Sequence, residues 1–552
     1  DQDMQYVTEL YSVPIDGSAA PAKLNGTLVS GGKVNEFQIS TDSNRVVYFA
    51  NQDTVTMDEL YSIAIDGSSP PTKLNGTLFT GGSVNTFQVS ADSNLVVYSA
   101  HQDMQPMAEL YSVPIDGSAI PTKLNNTLVN EGGVWHFQIS AGSSRVVYAA
   151  EQDINDTIEL YSVPINGSTS PTKLNGPLPS GGRASTFQIS ADSNQVIYLT
   201  NLYTGYSQEL FNVPINGGTA PIQLDSSQAL VGDVMSNSQI SPDNNWVVYL
   251  ADENTDEVKE LYSVLINGIG SPTKLNTPLV FGREVREDFQ ISGDSSRVLY
   301  LTDQDTDDVF ELYSVPINGS APPVKLNNPL VGAYGVFYGY QVSADSSRVV
   351  YQADQNLDYV LELYSVPIDG SAPPIQINTP MPSGHYLSSF QISSNNTVVF
   401  SADQDTIGVD ELYSAPIDGS AGPTKLNHTL ASGTETSGFQ ISPDGSRVVY
   451  GATGGVMGYR VEIYSVPIDG SAVPIKLNET LGLGGHLDLS TISPDSNRVI
   501  YTAEYDYMSD PELFSVPIDR STPPIKLYDP LVAYGGIENI KISADSNQVV
   551  YT

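Results

Sequence analysis

The sequence predicts an all-β protein, a β-propeller of about eleven four-stranded blades. Two repeated phrases predict this fold. The phrase ELYSVPIDGS begins at Glu9 and recurs with variation eleven times in 552 residues, at spacings of 49 to 51 residues. The phrase FQISTDSNRVVY begins at Phe37 and recurs eleven times in the same rhythm. Copies of about 50 residues with four short strands each are typical of propellers, whose small sheets bury their faces only against one another.

Each copy divides into four strands, described here for one copy. The first strand is predicted at Val34–Ser40 and the second at Arg45–Ala50, which is rich in β-branched and aromatic residues. An acidic loop leads to the third strand, Glu59–Ile65. Asp66-Gly67 then predicts a tight hairpin turn before the fourth strand at Thr72–Leu74. No segment has a helical period, and frequent Gly and Pro residues would interrupt a helix.

The core is predicted between these strands. Tyr11, Val13 and Ile15 alternate along the third strand, and Val46 and Tyr48 belong to the second type of strand. Because Tyr or Phe recurs at the Tyr11 and Tyr48 positions in every copy, we expect aromatic contacts in every blade.

The two ends of the chain carry complementary halves of one copy. The chain begins before a third strand and ends after a second strand at Tyr551. We therefore predict that the N- and C-terminal half-blades pair and close the propeller. Two smaller rings and a head-to-tail assembly between molecules are the alternatives. Residues 1–552 are predicted to form one continuous array of eleven units, with no linker and no separate catalytic domain.

Two segments carry a resemblance to a known family. Ile441–Tyr450, ISPDGSRVVY, and Ile463–Gly470, IYSVPIDG, resemble the Pro-Asp-Gly repeat of TolB-type β-propellers. At the level of the repeat, the resemblance covers the whole chain. It implies a propeller fold and gives almost no information on function, because the fold hosts both enzymes and scaffolds. Some prolyl-oligopeptidase-like enzymes carry such propellers, but the Gly-x-Ser-x-Gly motif of their hydrolase domains is absent here.

The composition excludes several classes of site. The chain has 63 acidic and 23 basic residues, a net charge of −40, and no cysteine. Thiol chemistry is therefore excluded, and nucleic acid is not expected as a partner, because its binding requires clustered Lys and Arg. No apolar run is long enough for a membrane span. The first residue is Asp rather than Met, as in a processed chain, and we expect an extracellular, cell-surface or periplasmic location.

The charged residues recur with the repeat, which favours structural roles. A glutamate opens the third strand in all eleven copies, from Glu9 to Glu512. Nine lysines share the position of Lys23, and six arginines share the position of Arg45. We expect the lysines and arginines to pair with carboxylates of neighbouring repeats, rather than to form an anion-binding band.

Calcium is the one cofactor that the sequence suggests. Asp303, Asp305 and Asp307 alternate in the loop after a second strand, as oxygen ligands do in calcium loops. The glycine and the distal glutamate of a full calcium loop are missing. Three histidines, His136, His385 and His486, are expected in loops that precede a first strand, at one rim of the propeller, and are interpreted as exposed rather than catalytic.

Nine asparagines occupy Asn-x-Ser/Thr triplets, which accept N-linked glycans only in an exported protein. They are Asn25, Asn75, Asn125, Asn155, Asn166, Asn318, Asn395, Asn427 and Asn478.

The function predicted from these observations is a non-catalytic extracytoplasmic scaffold for binding or self-assembly, such as a subunit of a surface fibre or layer. Its partners would be other proteins, copies of itself, or glycans. Two alternatives remain open. One is a calcium- or carbohydrate-binding propeller module, and the other is a propeller enzyme that acts on polysaccharide or a small ester at a site of unlike carboxylates or histidines.

Overall fold

The computed structural model describes residues 7–103, 107–129, 132–201, 208–225, 234–235, 237–253, 257–332, 335–430, 435–454, 460–481, 485–504, 510–528 and 536–552. All regular structure in these ranges is β-structure, in eleven four-stranded antiparallel sheets. This confirms the predicted β-propeller with eleven blades. Within the same ranges, no helix is long and apolar enough to cross a membrane.

Each blade consists of a first, second, third and fourth strand that pair in that order. The first strands are β3 (Val34–Ile39), β7 (Val84–Val89), β11 (Val134–Ile139), β15 (Thr186–Ile189), β19 (Gln239–Ile240), β23 (Gln290–Ile291), β27 (Val336–Val342), β31 (Leu387–Ile392), β35 (Thr436–Ile441), β39 (His486–Ile492) and β43 (Lys541–Ile542). The second strands are β4 (Arg45–Ala50), β8 (Leu95–Ala100), β12 (Arg145–Ala150), β16 (Gln195–Thr200), β20 (Trp246–Ala251), β24 (Arg297–Thr306), β28 (Arg348–Ala353), β32 (Thr397–Ala402), β36 (Arg447–Gly454), β40 (Arg498–Glu504) and β44 (Gln548–Tyr551).

The third strands are β1 (Tyr11–Pro14), β5 (Glu59–Ala64), β9 (Glu109–Pro114), β13 (Glu159–Pro164), β17 (Glu209–Pro214), β21 (Glu260–Leu265), β25 (Val309–Pro316), β29 (Glu362–Pro367), β33 (Glu411–Pro416), β37 (Arg460–Pro467) and β41 (Glu512–Pro517). The fourth strands are two-residue pairs: β2 (Ala22–Lys23), β6 (Thr72–Lys73), β10 (Thr122–Lys123), β14 (Thr172–Lys173), β18 (Ile222–Gln223), β22 (Thr273–Lys274), β26 (Val324–Lys325), β30 (Ile375–Gln376), β34 (Thr424–Lys425), β38 (Ile475–Lys476) and β42 (Ile525–Lys526).

The predicted strands of the β3–β6 copy agree with the structure to within a residue, but the hairpin does not. Gly67 has a φ of 68° and its N–H donates to Ala64, so a tight turn forms where it is predicted. However, only two residues of β6 pair with β5, through Tyr61–Lys73 and Ser62–Thr72. The connection between the paired residues of β5 and β6 is therefore longer than a two-residue hairpin.

One blade combines the two ends of the chain. Strand β1 pairs with β44 in an antiparallel register that places Tyr11 opposite Tyr551 and Ser12 opposite Val550. The sheet has the order β2-β1-β44-β43. This confirms the predicted pairing of the terminal half-blades.

The contacts between residues divide the chain into two compact units. Unit 1 holds residues 1–256, 262–273 and 529–552, and unit 2 holds residues 257–261 and 274–528. In unit 1, one core cluster joins Val47 and Leu60 of one blade to Phe87 and Tyr98 of the next. In unit 2, an equivalent cluster joins residues of β28 and β29 to residues of β32 and β33. In each unit the sheets thus bury their faces against one another.

A stacked pair of aromatic rings lies in each of the eleven blades. In the β3–β6 blade, Tyr48 of the second strand stacks on Tyr61 of the third, with ring centroids 5.5 Å apart. The equivalent pair Tyr11–Tyr551, at 5.8 Å, bridges the two ends of the chain. These rings are buried, as predicted for the Tyr11 and Tyr48 positions.

The repeat lysines bind the repeat glutamates, but the glutamate belongs to the same copy and not to a neighbouring one as predicted. Lys173 Nζ lies 2.6 Å from Glu159, and all nine lysines of this position make the same ion pair. The arginines make their hydrogen bonds to a serine instead. Arg45 Nε donates to Ser62 Oγ at 2.8 Å, and the other five arginines bond to the equivalent serine. The serine lies on the adjacent third strand, while Asp116 of the next copy acts on Arg45 through its charge.

Candidate functional site at the end of strand β31

A cluster of unlike polar residues lies where strands β31 and β33 of unit 2 begin. Its members are His385, Tyr386 and Ser388 around the start of β31, Asp403 and Asp410 from the loop between β32 and β33, and Glu435 before β35 of the next blade. The loops bring these residues together because β31 and β32 are antiparallel neighbours, and so are β32 and β33.

Asp403 is the buried anchor of the cluster. Its Oδ1 accepts the Tyr386 N–H at 2.6 Å, and its Oδ2 accepts the Gly408 N–H at 2.8 Å. His385 Nδ1 lies 2.7 Å from the carbonyl oxygen of Asp403. A carboxylate that accepts two backbone hydrogen bonds fixes the two loops against each other.

Asp410 differs from the other carboxylates of the cluster. The Ser388 hydroxyl donates to its Oδ2, whereas its buried Oδ1 has no hydrogen-bond partner. Burial is the main cause that raises the pKa of Asp410, and the charge of Asp403 adds to it. The backbone of Asp410 is held by Thr436, whose N–H donates to the Asp410 carbonyl at 2.8 Å. This carboxyl group is rigidly placed and holds its proton to a higher pH than an exposed aspartate.

Two further residues of the cluster are exposed to solvent. The Tyr386 ring is 45% exposed, and burial together with the charge of Asp410 raises the pKa of its hydroxyl. Glu435 is exposed and contributes negative charge near this ring. The site therefore combines an open aromatic face with two carboxylates in different environments.

A cavity of about 250 Å³ lies beside β35, between its blade and Leu487 of the following blade. Phe439, Tyr450, Ile463 and Leu487 are among the residues that line it. The cavity forms where Gly451 replaces the larger residue of other copies, such as Phe49. Its lining is partly polar, with Ser437 and Gln440, and it includes none of the residues of the cluster.

The histidine prediction is partly wrong. His385 lies in the predicted loop and belongs to the cluster, but His136 lies within strand β11 and His486 begins β39. The His136 ring packs against Phe187 at 5.3 Å, and burial lowers its pKa. The side chain of His486 is outside the described residues. Strand β11 starts at Val134, the equivalent of the predicted start at Val34, so His136 falls within it, and β39 starts one residue before that position, at His486.

The three aspartates proposed for calcium do not meet at one point. Asp303 is buried and accepts the Glu284 N–H at 2.9 Å, Asp305 pairs with Lys325, and Asp307 is exposed. The segment is also not a loop, since β24 continues to Thr306 and pairs there with Val309. Within the described ranges, no group of three or more His, Asp or Glu residues is placed to hold a metal ion. Calcium binding at this segment stays a prediction.

The nine asparagine triplets fall into two groups. Asn25, Asn75, Asn125, Asn427 and Asn478 are buried, and each accepts a backbone N–H with Oδ1 and donates to the next carbonyl with Nδ2. A glycan on Nδ2 would disrupt this arrangement. Asn155, Asn166, Asn318 and Asn395 are exposed. Glycosylation of these four asparagines stays a prediction.

The sequence analysis did not identify Tyr386, Ser388 or Asp410. A signal for Asp410 is present, since the residue before the repeat glutamate differs widely among the copies. It is Thr8, Asp58, Ala108, Ile158, Gln208, Lys259, Phe310, Leu361, Asp410, Val461 and Pro511. In a repeat protein, a position that varies among the copies allows one copy to carry a functional residue that the other copies lack.

No family model matches the chain, and no curated protein matches it. The TolB-type resemblance is therefore not confirmed beyond the propeller fold. Solved structures do match. A prolyl endopeptidase structure is 13% identical, with a TM-score of 0.31, over 68% of this chain and 55% of that one. The Porphyromonas gingivalis dipeptidyl peptidase 4 is 9% identical, with a TM-score of 0.39, over 78% and 64%. The Vibrio parahaemolyticus oligogalacturonate lyase is 12% identical, with a TM-score of 0.32, over 69% and 96%.

These similarities correct one prediction. The sequence analysis predicted that the protein is not an enzyme, whereas the solved structures similar to it are enzymes. That prediction is contradicted and we do not retain it. With TM-scores of 0.31 to 0.39, nothing about the reaction or the substrate of this chain is inferred from these structures. The chain spans between half and two thirds of the length of the two peptidases, so nothing of their substrates is carried over.

Proposed function

We propose that the protein is a propeller enzyme that acts on polysaccharide, with Asp410 as its general acid. The observation that supports this proposal is the environment of Asp410, a half-buried carboxyl group with a raised pKa and one oxygen without a partner. Cleavage of a glycosidic bond commonly uses two carboxyl groups in different environments. One of them must hold a proton near neutral pH, and burial is the usual cause.

The other residues of the cluster have complementary roles in this proposal. Asp410 would donate its proton to the oxygen of the leaving sugar, while Ser388 holds the carboxyl group in place. As the bond to the leaving oxygen breaks, the exposed carboxylate of Glu435, on the neighbouring blade, would attack the anomeric carbon or take a proton from a water molecule that attacks it. The open face of Tyr386 offers apolar surface, which sugar rings require in addition to hydrogen bonds.

The net negative charge of the protein favours uncharged polysaccharides as substrates. A net charge of −40 repels polyanions such as pectate, and exposed carboxylates at the site add to this repulsion. We therefore infer that the substrate is an uncharged polysaccharide. An extracellular, cell-surface or periplasmic location is part of the proposal, because polysaccharide substrates occur there.

Replacement of Asp410 by Asn tests the proposal. Release of reducing ends from neutral polysaccharides, for example xylan and mixed-linkage β-glucan, should fall by about 10²- to 10⁴-fold in Asp410→Asn, since the amide cannot donate the proton. The matched control is Asp58→Asn, which changes the same repeat position in the β3–β6 blade and should leave activity unchanged. If the unaltered protein releases no reducing ends from any neutral polysaccharide, or if Asp410→Asn is fully active, the proposal is wrong.

The activity should also depend on pH in a defined direction. The general acid works in its protonated form, so activity should fall as the pH rises through the pKa of Asp410. Because that pKa is raised, the fall should occur above the usual range of an aspartate. A pH–rate profile of kcat/KM measures this limb. A profile that rises over the same range would identify Asp410 as a base rather than an acid.

A further inference from the structure

The blade β15–β18 differs from the other blades at its repeat glutamate. In the ten other blades, within the described ranges, that glutamate accepts a hydrogen bond or ion pair from a lysine or from Gln376. In most of them a tyrosine two residues later also donates to it, as Tyr161 does to Glu159 at 2.8 Å. In blade β15–β18, Gln223 replaces the lysine and Phe211 replaces the tyrosine. Glu209 has lost both donors.

The glutamine alone does not account for the difference. In blade β27–β30, Gln376 also replaces the lysine, but its side-chain N–H donates to Glu362 at 2.8 Å, and Tyr364 donates to the other oxygen. Gln223 instead donates to Asp225, at 3.3 and 3.4 Å to its two oxygens. The same substitution therefore satisfies the glutamate in one blade and leaves it unsatisfied in the other.

One oxygen of the buried Glu209 carboxylate has no donor. Glu209 is 6% exposed, and the oxygen without a hydrogen-bond partner is Oε2. A second carboxylate lies beside it, because Asp225 replaces the asparagine found in nine other copies. Asp225 Oδ1 accepts the Leu210 N–H at 2.9 Å, one residue from Glu209. From the next blade, Glu253 adds a third negative charge, and its Oε1 accepts the Tyr249 hydroxyl at 2.9 Å.

These charges affect one another. Burial, followed by the charge of Asp225, raises the pKa of Glu209. Burial raises the pKa of Asp225 to about 6, and the charge of Glu253 contributes. Both shifts show that a negative charge on either carboxylate is unfavourable in this environment. Buried carboxylates are stable when a cation compensates them, and the nine repeat lysines do so elsewhere in the chain.

We propose that blade β15–β18 binds a primary ammonium group at Glu209 and Asp225, in the place that a lysine ammonium occupies in nine other blades. An ammonium group carries three N–H donors and one charge, which suits two neighbouring carboxylates. A divalent metal fits less well, because no three acidic or histidine side chains in the described part of the chain are placed around one point. The side chain of Gln223 is exposed, so the ammonium group would enter from the side of the blade on which Gln223 lies. The ammonium would belong to a free amine or to a lysine of a partner protein.

Thermal unfolding of the full chain with added amines tests the proposal. Methylammonium chloride at saturating concentration should raise the unfolding midpoint by about 2 °C or more, as expected for a ligand that binds only the folded state. Tetramethylammonium chloride at the same ionic strength has the same charge but no N–H donor and should have no effect. If Nα-acetyl-lysine methylamide acts at lower concentration than methylammonium, the natural source is a lysine, and if not, it is a free amine.

Two variants locate the effect, and a third is the matched control. Gln223→Lys restores the repeat lysine and should abolish the response to methylammonium. Glu209→Gln removes the carboxylate without changing its shape and should also abolish it. Gln376→Lys makes the same change in blade β27–β30, where Glu362 already has donors, and should respond like the unaltered protein. An equal rise with tetramethylammonium, or a response that persists in Gln223→Lys and Glu209→Gln, would overturn the proposal.

Discussion

Replacement of Tyr262 by alanine should lower the free energy of unfolding by about 3–5 kcal/mol. Tyr262 is 3% exposed and stacks on Tyr249 with ring centroids 5.6 Å apart. It belongs to a core cluster of unit 1 that also contains Ile197 and Leu210 of the preceding blade. The substitution therefore removes packing within one blade and between two blades, and a close-packed interior does not fully collapse into the space that is left.

Urea denaturation, followed by fluorescence and circular dichroism, measures this effect. Tyr359→Ala is the matched control, since Tyr359 is 67% exposed and the same change there should shift stability by less than about 0.5 kcal/mol. If Tyr262→Ala unfolds at the same denaturant concentration as the unaltered protein, the blades do not depend on contact with their neighbours.

Replacement of Val550 by aspartate should destabilise unit 1 by at least about 4 kcal/mol. Val550 is fully buried in strand β44, opposite Ser12, and packs with Leu10 and Leu24 from the N-terminal part of the same blade. An unpaired charge at this position costs about 3–5 kcal/mol, and the lost contacts of the valine add to it. The effect depends on the pairing of the two chain ends, because Val550 is buried by residues more than 500 positions earlier.

The same valine-to-aspartate change at Val331 is the control. Val331 is 54% exposed, so a charge there remains in water and the free energy of unfolding should change by less than about 0.5 kcal/mol. Denaturant unfolding of both variants, monitored with probes in unit 1, compares them. A Val550→Asp protein as stable as Val331→Asp would show that β44 is not packed against the N-terminal half-blade.

The strands could be predicted from the sequence because the repeat shows each of them eleven times. Alternation such as Tyr11, Val13 and Ile15 indicates a buried strand, and eleven copies remove the ambiguity of a single short segment. The pairing of lysine with glutamate could be predicted for the same reason. The arginine partner could not, because Ser62 is an unremarkable residue until the register places it beside Arg45.

The candidate site could not be predicted because its residues are close only in the folded chain. Asp410 and Ser388 lie 22 positions apart, and their contact depends on the register of β31, β32 and β33. Alternating aspartates at Asp303, Asp305 and Asp307 suggested a calcium loop, but alternate residues of a strand lie about 7 Å apart along one face instead of surrounding one point. Asp305 forms an ion pair with Lys325, and Asp303 accepts hydrogen bonds from backbone N–H groups. The partners of a carboxylate, rather than its spacing, decide its role.

A disulfide across the joined ends tests the central claim of this account most directly. The chain has no cysteine, so Ser12→Cys with Val550→Cys introduces a single pair at positions that face each other across β1 and β44. Directly opposed residues of antiparallel strands are at a distance that a disulfide can bridge. On mild oxidation of the dilute protein, we expect mass spectrometry and a non-reducing gel to show an intramolecular disulfide in a monomer. Free thiols, or disulfides only between molecules, would contradict the closure of the propeller by its own two ends.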